Sequence, residues 1–161
     1  HSTHTIERFI ELLKKHNINC IVDVRSIPAS AYSPQFDEWP LTNSLKCNNI
    51  KYYSFAKEFG ARRTDRGLLN KKGIVDFEKV FLLKSFQEGI DKLIDMATNN
   101  KVALMCTEGD PLKCHRFSMV SRALVKQNFE IKHILKDGTL VTQKELEDEI
   151  LKIYAAKIRF K

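Results

Sequence analysis

A strand, a loop rich in reactive groups and a helix follow one another between residues 102 and 125, and this stretch limits the folds open to the chain. Residues 102–106 carry no charge and predict a strand buried on both faces. A polar loop follows, and apolar residues then recur at helical spacing: Phe117, Val120, Leu124 and Val125. Such a unit places reactive groups at the carboxyl end of an open α/β sheet.

The Asp-Pro pair at residues 110–111 predicts an N-cap followed by the first residue of this helix. Cys114, His115 and Arg116 then lie within its first turn and a half. The helix dipole opposes a cation at this end, so Arg116 is expected to have a carboxylate or a bound anion as its partner. The same field favours a thiolate at Cys114. The alternative is a cysteine that packs against the sheet, beside an Arg116 that pairs with Glu108 or Asp110.

Helical and strand patterns alternate along the whole chain. The predicted strands cover residues 20–24, 50–55, 102–106 and 130–135. The predicted helices follow Thr5, cover residues 41–47, 75–83, 85–97 and 111–127, and follow a capping box formed by Thr142 and Glu145. This alternation predicts a three-layer α/β fold with a mainly parallel sheet and helices on both faces, which is a Rossmann-like arrangement. At 161 residues, a single domain over residues 1–161 is expected.

The composition favours a globular protein of the cytoplasm. Hydrophobic residues make up 43% of the chain and charged residues 29%. No apolar run approaches the roughly 20 residues of a membrane span, so no membrane partner is expected. Four cysteines are too few for a disulfide framework in a chain of this size, which predicts a reducing compartment.

The formal charge of +7 is unevenly distributed. Between Lys51 and Lys84, nine Lys or Arg residues stand against four Asp or Glu residues, a local excess of five. We call residues 60–73, which carry Arg62, Arg63 and three further cations, the basic loop. It is either a binding site for phosphate or nucleic acid, or a solvated surface. It lacks the glycine-lysine-serine/threonine ending of a P-loop.

Charged and aromatic residues surround the end of the strand at residues 20–24. Asp23 and Arg25 either pair with each other and their neighbours or line a ligand crevice. We call residues 26–40, which contain three prolines, the aromatic loop. Its rings (Tyr32, Phe36 and Trp39) more often cover a core beneath such a loop than stack on a planar ligand.

Short motifs along nearly the whole chain resemble those of one known family. They are Cys106-Thr-Glu108, Asp110-Pro111, Cys114-His115-Arg116, Asp23-Val-Arg25-Ser-Ile-Pro28, Ser30, Pro34-Gln-Phe36, Gly60-Ala-Arg62-Arg63 and His133-Ile134. In order and spacing they resemble the signature of the domain-of-unknown-function family 488. The resemblance implies a small Rossmann-like fold with these segments gathered at one edge, and it implies no particular reaction.

Two departures from the family pattern stand out. Ala31 occupies a position where the family usually has arginine. Members of the family also begin with a strand that precedes a histidine-serine pair, whereas this sequence starts at His1-Ser2, so we expect that strand to be missing here.

Three functions compete for these residues. The first is an enzyme, either a hydrolase or a glycosyl-transfer enzyme, acting on a nucleotide, a nucleoside or a nucleic-acid base, because a crevice carboxylate can stabilise positive charge on a sugar. The candidate catalytic residues are Glu108, Cys114 and His115, and the candidate binding residues are Asp23, Arg25, Ser30, Arg62, Arg63 and Arg116. The predicted partner is an anionic small molecule or a nucleic acid, and no cofactor is expected.

The second function is that of a cysteine enzyme in which Cys114 is a nucleophile or redox centre and Cys106 resolves it. The third is a nucleic-acid-binding module without catalysis. A metal site is disfavoured, because adjacent Cys114 and His115 point about 100° apart on a helix. We rank the first function highest, because Asp23, Arg25, Glu108 and Arg116 come from separate segments that should converge at one sheet edge.

Overall fold

The strand β1 (Cys20–Asp23) has all four residues buried and lies at the centre of a three-stranded parallel sheet. Its neighbours are β2 (Lys51–Ser54) on one side and β3 (Val102–Met105) on the other, giving the order β2-β1-β3. Cys20 is in register with the first residue of each neighbour, so the three strands end at one edge. The uncharged run that begins β1 fits a strand covered on both faces.

The computed structural model describes residues 4–159, with side chains up to residue 155. Its contacts divide the chain into two compact units, residues 1–109 and residues 110–161. The sheet belongs to the first unit, flanked by helices α1 (Ile6–Lys15), α2 (Glu38–Lys46), α3 (Ala56–Phe59), α4 (Phe77–Phe81) and α5 (Lys84–Asn99). The predicted α/β, Rossmann-like fold is confirmed. The single domain over residues 1–161 stays a prediction.

The strand β3 is less buried than its sequence predicted. Val102, Ala103 and Leu104 are half-buried, and only Met105 and the following Cys106 are fully buried. Among the described residues β3 pairs only with β1, so it is an edge strand of this sheet. An uncharged run predicts a strand but does not distinguish a central strand from an edge strand.

The second unit corrects the predicted helix at residues 111–127. Asp110 and Pro111 do start a helical turn, but it is a short 3₁₀ turn (Pro111–Lys113), capped by the Asp110 side chain. The backbone is extended at Cys114 (φ −117°, ψ 137°), and a π-helix then runs from Arg116 to Ser121. It continues into α6 (Arg122–Val125). The prediction that Cys114 lies within the first turn and a half of the helix was therefore wrong.

The remainder of the second unit is a β-hairpin followed by a helix. The strand predicted at residues 130–135 is β4 (Lys132–Ile134), which pairs antiparallel with β5 (Leu140–Thr142) instead of joining the parallel sheet. The predicted capping box is confirmed: Thr142 N donates to Glu145 Oε2 (2.7 Å), and Glu145 N donates to Thr142 Oγ1 (3.2 Å). It opens α7 (Gln143–Arg159).

The packing of α3 against α5 explains a glycine in the middle of the longer helix. A Cβ added at Gly89 would lie 2.7 Å from Glu58 Cβ and 3.1 Å from Phe59 Cε1. Phe59 is fully buried, and its ring packs against that of Phe86 with the ring centres 5.4 Å apart. The glycine therefore lets the two helices approach each other closely.

We predict that Gly89→Ala destabilises the protein, although alanine is the better helix former. Overpacking typically costs about 1–3 kcal/mol, against about 1 kcal/mol gained in helix propensity. Urea unfolding measures the change in the free energy of unfolding. Gly67→Ala is the matched control, because a Cβ there would approach only a carboxylate oxygen of Asp65, at 3.2 Å. A Gly89→Ala protein as stable as the wild type would contradict the packing argument.

Candidate functional site

A buried ion pair closes the carboxyl end of β1. Asp23 and Arg25 are 0% and 4% exposed. Arg25 Nη2 donates to Asp23 Oδ2 (2.6 Å), while the backbone N and Nε of Arg25 donate to Asp23 Oδ1 (3.0 Å each). Of the two alternatives that the sequence allowed, the structure therefore shows the mutual pairing.

Two further elements are attached to this ion pair. The Tyr52 hydroxyl on β2 donates to Asp23 Oδ2 (2.9 Å), and Arg25 Nη2 donates to the Phe36 carbonyl (2.8 Å). Burial first, and then the Asp23 carboxylate, raises the pKa of Tyr52, so this phenol stays protonated and remains a donor. Burial alone lowers the pKa of Arg25, but the bonds and charge of Asp23 outweigh it and leave that pKa raised.

One donor of this network has no partner within the described residues. Arg25 Nη1 is buried without a hydrogen bond, whereas Nε and Nη2 are engaged. The anion-binding role predicted for Arg25 stays a prediction.

The neighbouring strand β3 places Glu108 at the same sheet edge. Val24 N donates to the Met105 carbonyl (3.0 Å), so the segments after β1 and β3 leave the sheet side by side. The chain passes from β1 to β2 on one side of β1 and later returns to β3 on the other side. The topological switch point is therefore at the carboxyl ends of β1 and β3. In open α/β sheets, ligands bind at this point. Arg25 and Glu108 therefore follow strands that end at the same edge of the sheet. Positions at opposite edges would have excluded a shared crevice.

The Glu108 side chain is exposed, and it accepts a hydrogen bond from a buried thiol. Cys106 is 3% exposed, and its Sγ donates to Glu108 Oε2 (2.8 Å). The carboxylate is therefore oriented from the protein side by Cys106, and it faces solvent at the ligand edge of the sheet.

The aromatic loop is only partly a cover for the core. Phe36 is fully buried and packs edge-to-face on Phe9 with the ring centres 5.3 Å apart. Tyr32 and Trp39 are exposed, contrary to the more common role of such rings. Ser30, a candidate binding residue, lies in a local turn, where its N donates to Asp37 Oδ1 (2.7 Å).

The basic loop begins beside the aromatic loop. Arg62 N donates to Ser26 Oγ (2.8 Å), and the residue is exposed. Arg63 instead turns back, and its Nη2 donates to the Glu58 carbonyl (2.6 Å). Burial lowers the pKa of Arg63, while the nearby Glu58 opposes that shift. Of the two arginines, Arg62 is exposed and Arg63 is half-buried, and the binding role of each stays a prediction.

The second unit holds the other candidate residues. Cys114 is 2% exposed, and its Sγ accepts from Arg116 Nε (3.1 Å) and from Arg116 N (3.4 Å). A guanidinium and a backbone N–H directed at one sulfur stabilise the thiolate form. His115 is half-buried and directly precedes the π-helix.

A buried amide that the sequence analysis missed organises this unit. Gln143 is 3% exposed, its Oε1 lies 2.8 Å from His133 Nε2, and its Nε2 donates to Glu147 Oε1 (2.9 Å). Burial lowers the pKa of His133, and the bond to Gln143 opposes that shift. Tyr52 and Ser26 were missed in the same way, because their roles depend on hydrogen bonds to residues 29 and 36 positions away.

The described side chains include four of the types that bind zinc. Cys106 and Glu108 belong to the first unit, and Cys114 and His115 belong to the second.

Among the described residues, no helix is both long and apolar enough to cross a bilayer.

An open parallel sheet with polar groups at its switch point defines a small α/β protein of the Rossmann-like class. Residues 5–124 match the family model described as domain of unknown function DUF488, and the chain belongs to this family. No curated protein and no solved structure matches the chain.

We predict that Asp23→Ala costs about 3–5 kcal/mol of stability, because it leaves a buried guanidinium without its carboxylate. Thermal and urea unfolding measure the decrease. Glu11→Ala is the control, since it breaks an exposed ion pair with Arg8 (2.8 Å) and should cost at most about 1 kcal/mol. Equal decreases in the two variants would show that the buried pair does not determine stability.

Proposed function

We propose that this protein is an enzyme acting on a nucleotide, a nucleoside or a nucleic-acid base, with Glu108 as the catalytic carboxylate. The observation that carries the proposal is the position of Glu108, which is exposed in the loop that follows β3, at the switch point of the sheet. A ligand at this edge meets a carboxylate that the Cys106 thiol already orients.

The surroundings of this edge favour a substrate that has both a planar part and an anionic part. The aromatic loop leaves the end of β1 with Tyr32 and Trp39 exposed, and either ring can stack on a base. Arg62 supplies an exposed cation attached to the start of that loop through Ser26. A phosphate can bind this cation while its base stacks on a ring.

The chemistry that fits a single exposed carboxylate is hydrolysis or transfer at the sugar. As the bond between the sugar and the base breaks, positive charge develops on the sugar, and an ionised Glu108 stabilises it. A water molecule that adds to the sugar carbon passes its proton to Glu108, which then returns it to the departing base. The proposal thus assigns both the charge stabilisation and the proton transfer to one residue.

The proposal does not depend on the other predicted site residues. His115 as proton carrier and Arg116 as anion binder stay predictions. The cytoplasmic location also stays a prediction.

We expect Glu108→Gln to lower turnover by about 10²–10⁴-fold while ligand still binds, because glutamine keeps the shape but cannot carry the proton or the charge. The assay incubates the protein with ribonucleosides and 5′-nucleotides and measures released base by chromatography. Glu88→Gln, the same change at an exposed position on α5, is the control. Unchanged turnover in Glu108→Gln would exclude the carboxylate mechanism.

A second candidate function rests on the sulfur of Cys114. It accepts two N–H groups from Arg116, which suits a cysteine nucleophile or redox centre. Cys20 is a contrasting internal reference, because burial raises the pKa of its thiol while Lys51 only partly opposes that shift.

We predict that Cys114 alkylates faster than Cys20 at neutral pH, and that Arg116→Gln slows the reaction of Cys114 more at about pH 7 than at about pH 9.5, which lies above the usual thiol pKa. At the higher pH the thiol ionises without help from a donor. Iodoacetamide labelling followed by peptide mass spectrometry measures both rates, with the exposed Cys47 as an accessible reference thiol. Equally slow labelling of Cys114 and Cys20 would leave Cys114 as a packing residue.

A further inference from the structure

Two of the three rings in the aromatic loop are left in solvent. Tyr32 is 98% exposed and Trp39 is 76% exposed, and the nearby Ile27 is 57% exposed. Single exposed apolar residues need no explanation, but three large ones in one well-anchored loop form a surface with binding potential. Of the three rings, only Phe36 packs in the core, where it is fully buried.

The loop that carries these rings is held in place along its length. Arg25 Nη2 donates to the Phe36 carbonyl (2.8 Å), and Glu38 N donates to the Pro28 carbonyl (2.9 Å). Tyr32 N donates to Ser30 Oγ (3.2 Å), so the residue that carries the most exposed ring is itself fixed. A surface whose backbone is already ordered loses less entropy when a ligand binds.

A cluster of cations starts next to this loop. Gly60 approaches Ser26 so closely that an added Cβ would lie 2.9 Å from Ser26 Cα, and Arg62 N donates to Ser26 Oγ (2.8 Å). The exposed cations of the basic loop are Arg62, Arg66, Lys71 and Lys72. In the described part of the chain none of these four forms an ion pair, and Asp65 is the one acid among residues 60–73.

Acidic groups near the rings restrict where phosphates can lie. Asp37 is occupied by the Ser30 N–H, but Glu38 is exposed directly before Trp39. Phosphates are therefore repelled from the start of α2 and attracted towards the basic loop. The surface thus separates a stacking part from a phosphate-binding part.

We infer that the aromatic loop and the basic loop together bind single-stranded nucleic acid. Exposed rings stack on successive bases regardless of their identity, and the cations bind the phosphates between them. A duplex hides the faces of its bases, so a single strand fits better. The inference rests on the proposed function and deepens it, by naming a polynucleotide rather than a free nucleotide as the substrate class.

Trp39 provides a direct reporter, because it is the only tryptophan of the chain. We would titrate the Glu108→Gln protein, which should bind without turnover, with oligouridylate and oligothymidylate of about ten nucleotides. Base stacking on Trp39 should quench its fluorescence in a saturable manner. Inorganic polyphosphate, which has the charge without the bases, should not quench it.

Anisotropy with labelled oligonucleotides then tests each side chain. Tyr32→Ala and Trp39→Ala should each weaken binding about 5- to 150-fold, the range that base–aromatic stacking contributes, and Tyr32→Phe should restore the affinity lost in Tyr32→Ala. Arg62→Gln and Lys71→Gln should each make the salt dependence shallower, by about 0.7 in slope for every phosphate that the variant no longer neutralises. Tyr154→Ala and Lys84→Gln, at an exposed ring and an exposed cation elsewhere, are the controls.

Three results would overturn the inference. The first is oligonucleotide binding that Tyr32→Ala and Trp39→Ala leave unchanged. The second is binding of a duplex as tight as that of a single strand. The third is a protein that binds no oligonucleotide but forms a concentration-dependent dimer that Trp39→Ala abolishes, which would make the rings a contact between two copies of the chain. The proposed function fails separately, when turnover survives Glu108→Gln. A turnover that depends on Glu108 with no oligonucleotide binding would instead leave an enzyme for small substrates and reject the single strand.

Discussion

The buried ion pair between Asp23 and Arg25 is the interaction on which the first unit depends. Two charges taken out of water cost several kcal/mol each, and only close geometry with further hydrogen bonds offsets that cost. Here the carboxylate accepts from the Arg25 backbone, from its guanidinium and from Tyr52. The guanidinium in turn fixes the Phe36 carbonyl. The pair therefore joins β1, β2 and the aromatic loop through one network.

This network has a consequence at the surface. Because Arg25 holds the Phe36 carbonyl and the Phe36 ring fills the core beside Phe9, one residue anchors the aromatic loop from both its backbone and its side chain. Tyr32 and Trp39 are then not required for packing and can remain exposed. The sequence could not distinguish these roles, because the three rings belong to different elements: Tyr32 precedes the helical turn that carries Phe36, and Trp39 lies in the first turn of α2.

The fold was predicted correctly where a sequence pattern is local. The prediction failed where the structure depends on a partner that is distant in the sequence. Thr5 and Thr142 were recognised as helix caps, because a cap involves residues only three positions apart. The extended backbone at Cys114 was missed, since a proline after an N-cap residue predicts equally well a full helix and a single 3₁₀ turn. The exposure of β3 was missed because strand order cannot be derived from one strand. At the candidate site, the sequence identified Glu108 at a strand end but left open whether Asp23 and Arg25 pair.

Cys106 and Cys114 have opposite hydrogen-bonding roles, and this separates the two catalytic proposals. The Cys106 S–H group donates a hydrogen bond to Glu108 Oε2 and therefore keeps its proton while this bond is made. Cys114 Sγ accepts from Arg116, which suits a thiolate. A redox cycle that oxidised Cys106 would remove the S–H group that donates to Glu108. The hydrogen bond to Glu108 therefore requires a reduced Cys106, whereas the resolving role requires its oxidation, so one chain cannot use Cys106 in both ways at the same time.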